Sequence, residues 1–328
     1  MLLAAAHDSE LMKQPSEEQI RIGIALGSGS ARGWAHIGVL QELAEAGIRP
    51  HVVAGTSVGA LVGAWYARGH LDESEAWVKS LTRRDVMRYM DLAFTGGLLE
   101  GRRLMEVYRQ RFGDIDIREL PMPYAAVATN LNTGQEIWLQ KGSLLEAVRA
   151  SISLPGLFKP VRHGEHWVVD GGLVNPVPVT LCRAMGAHVV IAVNLNGDLL
   201  GRRRRRTTAP RQAMVSDVTW WERVSNAFSR NGKPTRNGAE PGPGFFDVLN
   251  SSINIMQDRI TRSRMAGDPP DVLIAPRLEH FELLDYARGA EAIREGRAAV
   301  RRVLPVIEDL LGGVTEQVRD QQANEPAT

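Results

Sequence analysis

One cysteine, Cys182, stands in the whole chain of 328 residues, so no internal disulfide can form. That usage fits a reducing compartment, and the expected place for Cys182 is a small buried position in a helix. Charge imbalance is missing too. Lys and Arg number 39 against 38 Asp and Glu, a net charge of +1. Nothing global points to nucleic acid, and no nucleic-acid-binding module is recognisable. No apolar run approaches the roughly 20 residues of a membrane-spanning helix. The opening Met-Leu-Leu-Ala-Ala-Ala gives way at once to His7, Asp8, Glu10 and Lys13. It is too short for a secretory core and has no basic leader. The expected location is cytoplasmic, or peripheral at the inner membrane surface. What remains, 44% hydrophobic and 23% charged residues, is an ordinary globular composition without internal repeats.

Two phosphate-binding signatures also fail. Gly27, Gly29 and Gly33 are spaced G-x-G-x-x-x-G, one residue too long for a dinucleotide fingerprint. The next strand is not followed by an acidic ribose-binding residue. No Gly-Lys-Ser/Thr is present to make a P-loop. The loop Gly27-Ser-Gly-Ser-Ala-Arg-Gly33 nevertheless follows an apolar strand, Arg21 to Leu26, and opens a helix, Trp34 to Ala46. Its remaining reading is an oxyanion hole, in which backbone N–H groups at the start of the helix converge on an acyl oxygen, a role that tolerates Ser28 and Ser30 because their side chains do not donate.

The chain is organised around the next unit. Val52-Val-Ala reads as a buried strand, Gly55-Thr-Ser-Val-Gly59 as a tight turn, and the residues up to Ala64 as a helix. The turn fits the G-x-S-x-G nucleophile elbow, which lifts a serine, here Ser57, above the sheet edge. Gly55 and Gly59 permit a close backbone approach that side chains would block. Two strand–helix units in succession predict a parallel sheet with helices on both faces.

Further along, Leu71 to Gly113 is helical, with Trp77, Val78, Leu81, Val86, Met87 and Met90 on apolar faces; most are expected in the core, and part of this layer would border an acyl-chain pocket. Pro123 to Thr129 and Gln135 to Leu139 form a hairpin. Leu144 to Ser151 is a helix, and His166 to Asp170 is a strand ending on a carboxylate, followed by Gly171 and Gly172. His188 to Asn194, the most apolar strand, is expected near the centre of the sheet. Between 199 and 244 the composition changes. Arg202 to Arg206 are consecutive, and Asn-Gly and Pro-Gly pairs mark loops. The run reads either as a solvated loop or as a contact with anionic lipid headgroups. Phe245 to Met265 is a helix, Asp271 to Ala275 a strand, and Tyr286 to Leu311 a helix. The expected organisation is a flexible tail (1–19), a catalytic core (20–198), a basic insertion (199–244), a helix–strand–helix completion (245–312) and a polar tail (313–328). Trp220, Trp221 and Phe245 suggest a homodimer.

A serine hydrolase usually has a histidine base. Of the eight histidines, His36 lies in the first helix, His51 before the elbow strand, His70, His163 and His166 in loops or at a strand start, and His188 at another. None suits the order Ser, Asp, His. A buried carboxylate can serve as base directly, so the residues favour a Ser57–Asp170 dyad.

Gly27-Ser-Gly-Ser-Ala-Arg-Gly33, Gly55-Thr-Ser-Val-Gly59 and Asp170-Gly-Gly172 together resemble the motifs of the patatin-like phospholipase family. The flanking Ala35-His-Ile-Gly-Val-Leu40, Ala150-Ser-Ile-Ser-Leu-Pro-Gly156 and Asn175-Pro-Val-Pro178 are similar as well. The likeness is strongest to the bacterial RssA-like branch, related to the catalytic domain of neuropathy target esterase, and covers roughly residues 20 to 305. It implies a three-layer α/β/α fold with a mostly parallel central sheet, and hydrolysis of lipid acyl esters, those of phospholipids or lysophospholipids, with no metal and no cofactor. Ser57 would be the nucleophile and Asp170 the base. Gly29 and Ser30, with Ser28 adjacent, would supply the oxyanion amides. Gly27, Gly33, Gly55, Gly59, Gly171 and Gly172 would support the site. Arg32 would hold the glycine-rich loop or favour anionic headgroups. Ser28 and Ser30 stand where many members have glycine. A transacylase or thioesterase on the same dyad stays open, as does a non-catalytic regulatory protein that keeps the fold.

Overall fold

The computed structural model describes residues 20–89, 101–197 and 245–324, with side chains throughout except at 102, 245–247, 250 and 314–324. Its strands are β1 (Ile22–Leu26), β2 (Val52–Thr56), β3 (Tyr124–Asn130), β4 (Glu136–Leu139), β5 (Val161–His163), β6 (His166–Asp170), β7 (Val189–Val193) and β8 (Val272–Ile274). The helices are α1 (Ala35–Glu45), α2 (Val58–Ala67), α3 (Leu71–Ser80), α4 (Arg83–Tyr89), α5 (Arg102–Phe112), α6 (Leu144–Ser151), α7 (Val179–Ala184), α8 (Phe245–Gly267) and α9 (Gly289–Asn324).

The strands form one sheet whose hydrogen-bonded neighbours link β5-β6-β3-β2-β1-β7-β8, with β4 along one edge of β3 and β2 and β6 following each other along the other. β3, β2, β1, β7 and β8 run parallel; β4, β5 and β6 are antiparallel additions. β1, β2, β3 and β7 are buried along their whole length, as continuous apolar strands covered on both faces should be. Alternation sorts their side chains between two cores. Ile24, Leu26, Ile191 and Val193 face the core shared with α1, α2 and α9. Ala25, Ala54, Val190 and Ala192 face α7, with Leu181 and Cys182. The alanines on that face let α7 lie close. Cys182 is fully buried, and burial pushes its thiol up to about 12, so it packs as a small hydrophobe. Glu42 of α1 accepts from Nε and Nη2 of Arg301 at 2.6 and 2.9 Å, tying α1 to α9.

Three expectations change. β7 is second from the sheet edge rather than central, because the short β8 is its only neighbour on that side; β8 and the flanking helices suffice to bury it. The last helix passes through Gly312 and Gly313 to Asn324, so the polar stretch expected as a tail from 313 is helical for most of its length. Met87 on α4 is 40% exposed rather than in the core. The expected N-terminal tail, Met90, the 199–244 insertion with Arg202–Arg206, and Trp220 and Trp221 lie outside the described residues, as does the Phe245 side chain. Among the described residues no helix is long and apolar enough to cross a membrane.

Candidate active site

Ser57 sits between the last residue of β2 and the first of α2, at φ 57° and ψ −124°. A side chain in that region is strained by about 1–3 kcal/mol and persists only where its surroundings fix it. The motif glycines do not carry the strain: neither Gly55 nor Gly59 has a positive φ. They are there for contact. A Cβ on Gly59 would lie 2.1 Å from the Leu26 carbonyl oxygen, and one on Gly55 2.5 Å from the Ala60 Cα. The Ser57 backbone is fixed on both sides. Its N–H donates to Ser151 Oγ at 2.9 Å, whose own hydroxyl donates to the Val127 carbonyl at 2.6 Å. Its carbonyl accepts from the Ala60 and Leu61 amides.

Asp170 closes β6 and is fully buried. The Ser57 hydroxyl donates to its Oδ2 at 2.5 Å. The Gly172 amide donates to its Oδ1 at 2.7 Å. Its backbone is held by Ser153 and by the Thr129 hydroxyl. Burial raises its pKa from 3.8 to about 7, against the two hydrogen bonds, which favour the charged form. The carboxylate is therefore poised to take and return a proton near neutrality.

In the glycine-rich loop the Gly27 amide donates to Val193 and the Ser28 amide to Pro176 at 2.8 Å. Ser28 is thus no oxyanion donor, contrary to expectation, because its N–H is spent on the neighbouring chain; its hydroxyl donates to Gln257 Oε1 at 3.1 Å. Among the described residues the Gly29 and Ser30 amides meet no acceptor, and both residues share the pocket with Ser57. Ser30 has φ 50°; it and Ser57 are the only non-glycine residues with positive φ among those described. Arg32 is 3% exposed. Its Nε donates to the Gly29 carbonyl at 3.1 Å and its Nη2 to Asn254 Oδ1 at 3.1 Å. Burial lowers its pKa to about 10, so it stays charged at neutrality. A Cβ on Gly33 would strike the Val58 side chain, which keeps the loop tight against α2.

The pocket leading to Ser57 is mostly apolar. Trp77, Leu81 and Val86 line it, as do Leu157, Phe158 and Ile253. Residues expected as plain core on α3 and α4 are therefore also pocket wall. No histidine lines this pocket. His36 is buried, its pKa lowered to about 4 by desolvation, and its Nε2–H donates to the Gly27 carbonyl at 2.8 Å. His51 and His188 accept backbone amides at strand starts. His280, in a loop beyond Asp170, meets Glu291 at the surface. Among the described residues no cluster of three His, Cys, Asp or Glu could hold a metal.

Sequence reasoning did not single out Ser151, Asn254, Gln257 or Tyr286. Ser151 stood inside the Ala150–Gly156 motif, but its hydrogen bonds cross from α6 to the turn after β2 and to β3. Asn254 and Gln257 lie three apart on α8, on a buried face that holds Ile253 together with the polar Asp258 and Thr261, so no apolar stripe marked that face in the sequence. Tyr286 carries none, since its partner Ser30 is 256 residues away.

A family model described as patatin-like phospholipase matches residues 24–183. An NTE family protein of Mycobacterium tuberculosis is 33% identical over 332 residues, spanning 88% of this chain and 92% of that one. Neuropathy target esterase sws of Drosophila melanogaster is 34% identical over 182 residues, 53% of this chain and 13% of that one. Patatin-like phospholipase domain-containing protein 6 of Mus musculus is 35% identical over 183 residues, again 53% of this chain and 13% of that one.

Proposed function

The chain belongs to the patatin-like phospholipase family, among its NTE relatives, and on that premise we propose that it is a serine hydrolase cleaving acyl esters of phospholipids or lysophospholipids through Ser57 and Asp170. The observation that carries the reading is the 2.5 Å hydrogen bond from the Ser57 hydroxyl to a fully buried Asp170 carboxylate. Asp170 takes the Ser57 proton as Oγ attacks the ester carbonyl carbon. The oxygen that becomes negative is stabilised by the Gly29 and Ser30 amides, a class of interaction worth about 3 kcal/mol per donor. Asp170 then passes the proton to the departing alcohol, leaving an acyl group on Ser57. A water molecule, deprotonated by Asp170, attacks that acyl carbon, and Asp170 returns the proton to Ser57 Oγ as the fatty acid leaves. The apolar wall of Trp77, Leu81, Val86 and Phe158 suits an acyl chain. Arg32, a buried cation in the same wall, suits an anionic headgroup.

Intact-mass spectrometry after incubation with a fluorophosphonate probe tests the assignment. Wild type should gain one adduct and Ser57→Ala none. An adduct that survives in Ser57→Ala would place the reactive group elsewhere. Folded wild type that stays unlabelled, with and without micelles, would overturn the reading.

A further inference from the structure

Ser30 is held in a backbone conformation that favours glycine, at φ 50°, and its side chain is engaged in a way glycine could not be. Its hydroxyl lies 2.8 Å from the Leu283 carbonyl oxygen and 2.7 Å from the Tyr286 hydroxyl. A carbonyl only accepts, so the single Ser30 proton goes to Leu283. The Tyr286 hydroxyl must then be the donor to Ser30 Oγ. The Ala31 amide also donates to the Leu283 carbonyl. Tyr286 is itself fixed from behind: Trp34 Nε1 donates to its carbonyl at 3.1 Å, and the Trp34 and Tyr286 rings meet edge to face at 5.6 Å. A turn near the C-terminal end of the fold thus grips the loop that carries the free amides.

We propose that Tyr286, acting through the Ser30 hydroxyl, is a positioning residue that sets the direction of the Gly29 and Ser30 amides. The inference rests on the ester-hydrolase reading above. The clamp supplies the energy that keeps a non-glycine residue at positive φ, and so allows serine at a position where glycine would leave the amides loosely aimed. The phenol stays protonated at neutrality, since desolvation raises its pKa, and so remains a donor throughout turnover. Tyr286 acts through Ser30 and need not touch the substrate.

The test is steady-state hydrolysis of a soluble short-chain ester together with the rate of labelling by a fluorophosphonate, whose phosphoryl oxygen occupies the same amides. Misplaced groups cost about 10- to 100-fold in rate. Tyr286→Phe should therefore lose about 10-fold in kcat and in labelling rate, with KM unchanged. Ser30→Ala should lose more, because it keeps the strained φ without the clamp. Ser30→Gly should lose less than Ser30→Ala, because glycine takes that φ freely. In the Ser30→Gly background, Tyr286→Phe should add nothing. A purely structural tyrosine would instead lower thermal stability additively in both backgrounds. Labelled wild type matched by both Tyr286→Phe and Ser30→Ala would overturn the clamp alone. Folded but unlabelled wild type would overturn the hydrolase reading and the clamp's role with it. Should Tyr286→Phe fail to fold, the order of the Ser30 variants decides.

Discussion

Thr56 and Asp170 pair with successive residues on one edge of β3: Thr56 with Val127 in parallel, Asp170 with Ala128 in antiparallel. β4 occupies the opposite edge at both points. β2 and β6 therefore meet end to end, and the residue after Thr56, Ser57, arrives at the Asp170 carboxylate. The dyad is set by strand register. Asp170→Asn should keep that register, since the asparagine oxygen still accepts from the Gly172 amide while its NH2 faces Ser57, whose hydroxyl then accepts. It removes the base, and the loss in kcat should be about 10⁴-fold, comparable to removing the carboxylate of a catalytic triad. Activity within a few fold of wild type would exclude Asp170 as the base.

Asp170 acts as base only when ionised, and burial sets its pKa at about 7. The pH profile of kcat/KM for a soluble ester should rise through about pH 7 and level off above it. Stability should run the other way. A carboxyl with a raised pKa binds more protons folded than unfolded between 3.8 and about 7, so its contribution falls as pH rises through that window and is flat above it. At pH 8 Asp170→Asn should be more stable than wild type, by on the order of 1–4 kcal/mol. Denaturant unfolding at pH 4 and pH 8 reads both ends; equal differences at the two pH values would contradict the assigned shift.

Ser151 holds the nucleophile's backbone rather than its hydroxyl. Ser151→Ala leaves the Ser57 amide and the Val127 carbonyl without their shared partner. Stranding buried polar groups costs about 1–3 kcal/mol, and part of that loss falls on the strained turn. The variant should unfold several degrees lower and label with fluorophosphonate more slowly, while Ser151→Thr, which keeps the hydroxyl, should recover most of both. Unchanged melting and labelling would mean that water or a rearranged α6 replaces the hydroxyl.

The fold was legible where the signal is local. β1 with the glycine-rich loop, the elbow from Val52 to Ala64, α6 and β6 followed from apolar runs punctuated by glycine. Ser57 followed from the G-x-S-x-G turn, and its pairing with Asp170 from the failure of any histidine to fit the required order. What escaped is long-range. The three-residue β5 carries too little pattern to announce itself. β7 looked central because its apolar content reports burial and says nothing about strand order. Ser28 looked like an oxyanion donor because a run of small residues does not reveal which amides are spent; the Pro176 carbonyl that takes its N–H lies 148 positions away (176 against 28). Tyr286 meets Ser30 only after the whole sheet has formed between them.

Arg32 divides two roles that a substitution can separate. Among the described residues it has no carboxylate partner, and its hydrogen bonds to Gly29 and Asn254 go to a carbonyl and a side-chain amide oxygen. A buried cation without an anion is costly, and that cost is offset if an anionic substrate group docks beside it. Arg32→Lys keeps a charge but loses the fork that reaches Gly29 and Asn254 together; Arg32→Gln keeps a donor and loses the charge. If Arg32 recognises an anionic headgroup, Arg32→Gln should raise KM for a lysophospholipid about 10-fold or more and leave KM for a neutral short-chain ester within a few fold. Arg32→Lys should fall between. If Arg32 serves only to hold the loop, both variants should lower kcat for both substrates alike, with little change in either KM. The ratio of the two KM values in Arg32→Gln therefore decides whether the charge belongs to the substrate or to the loop.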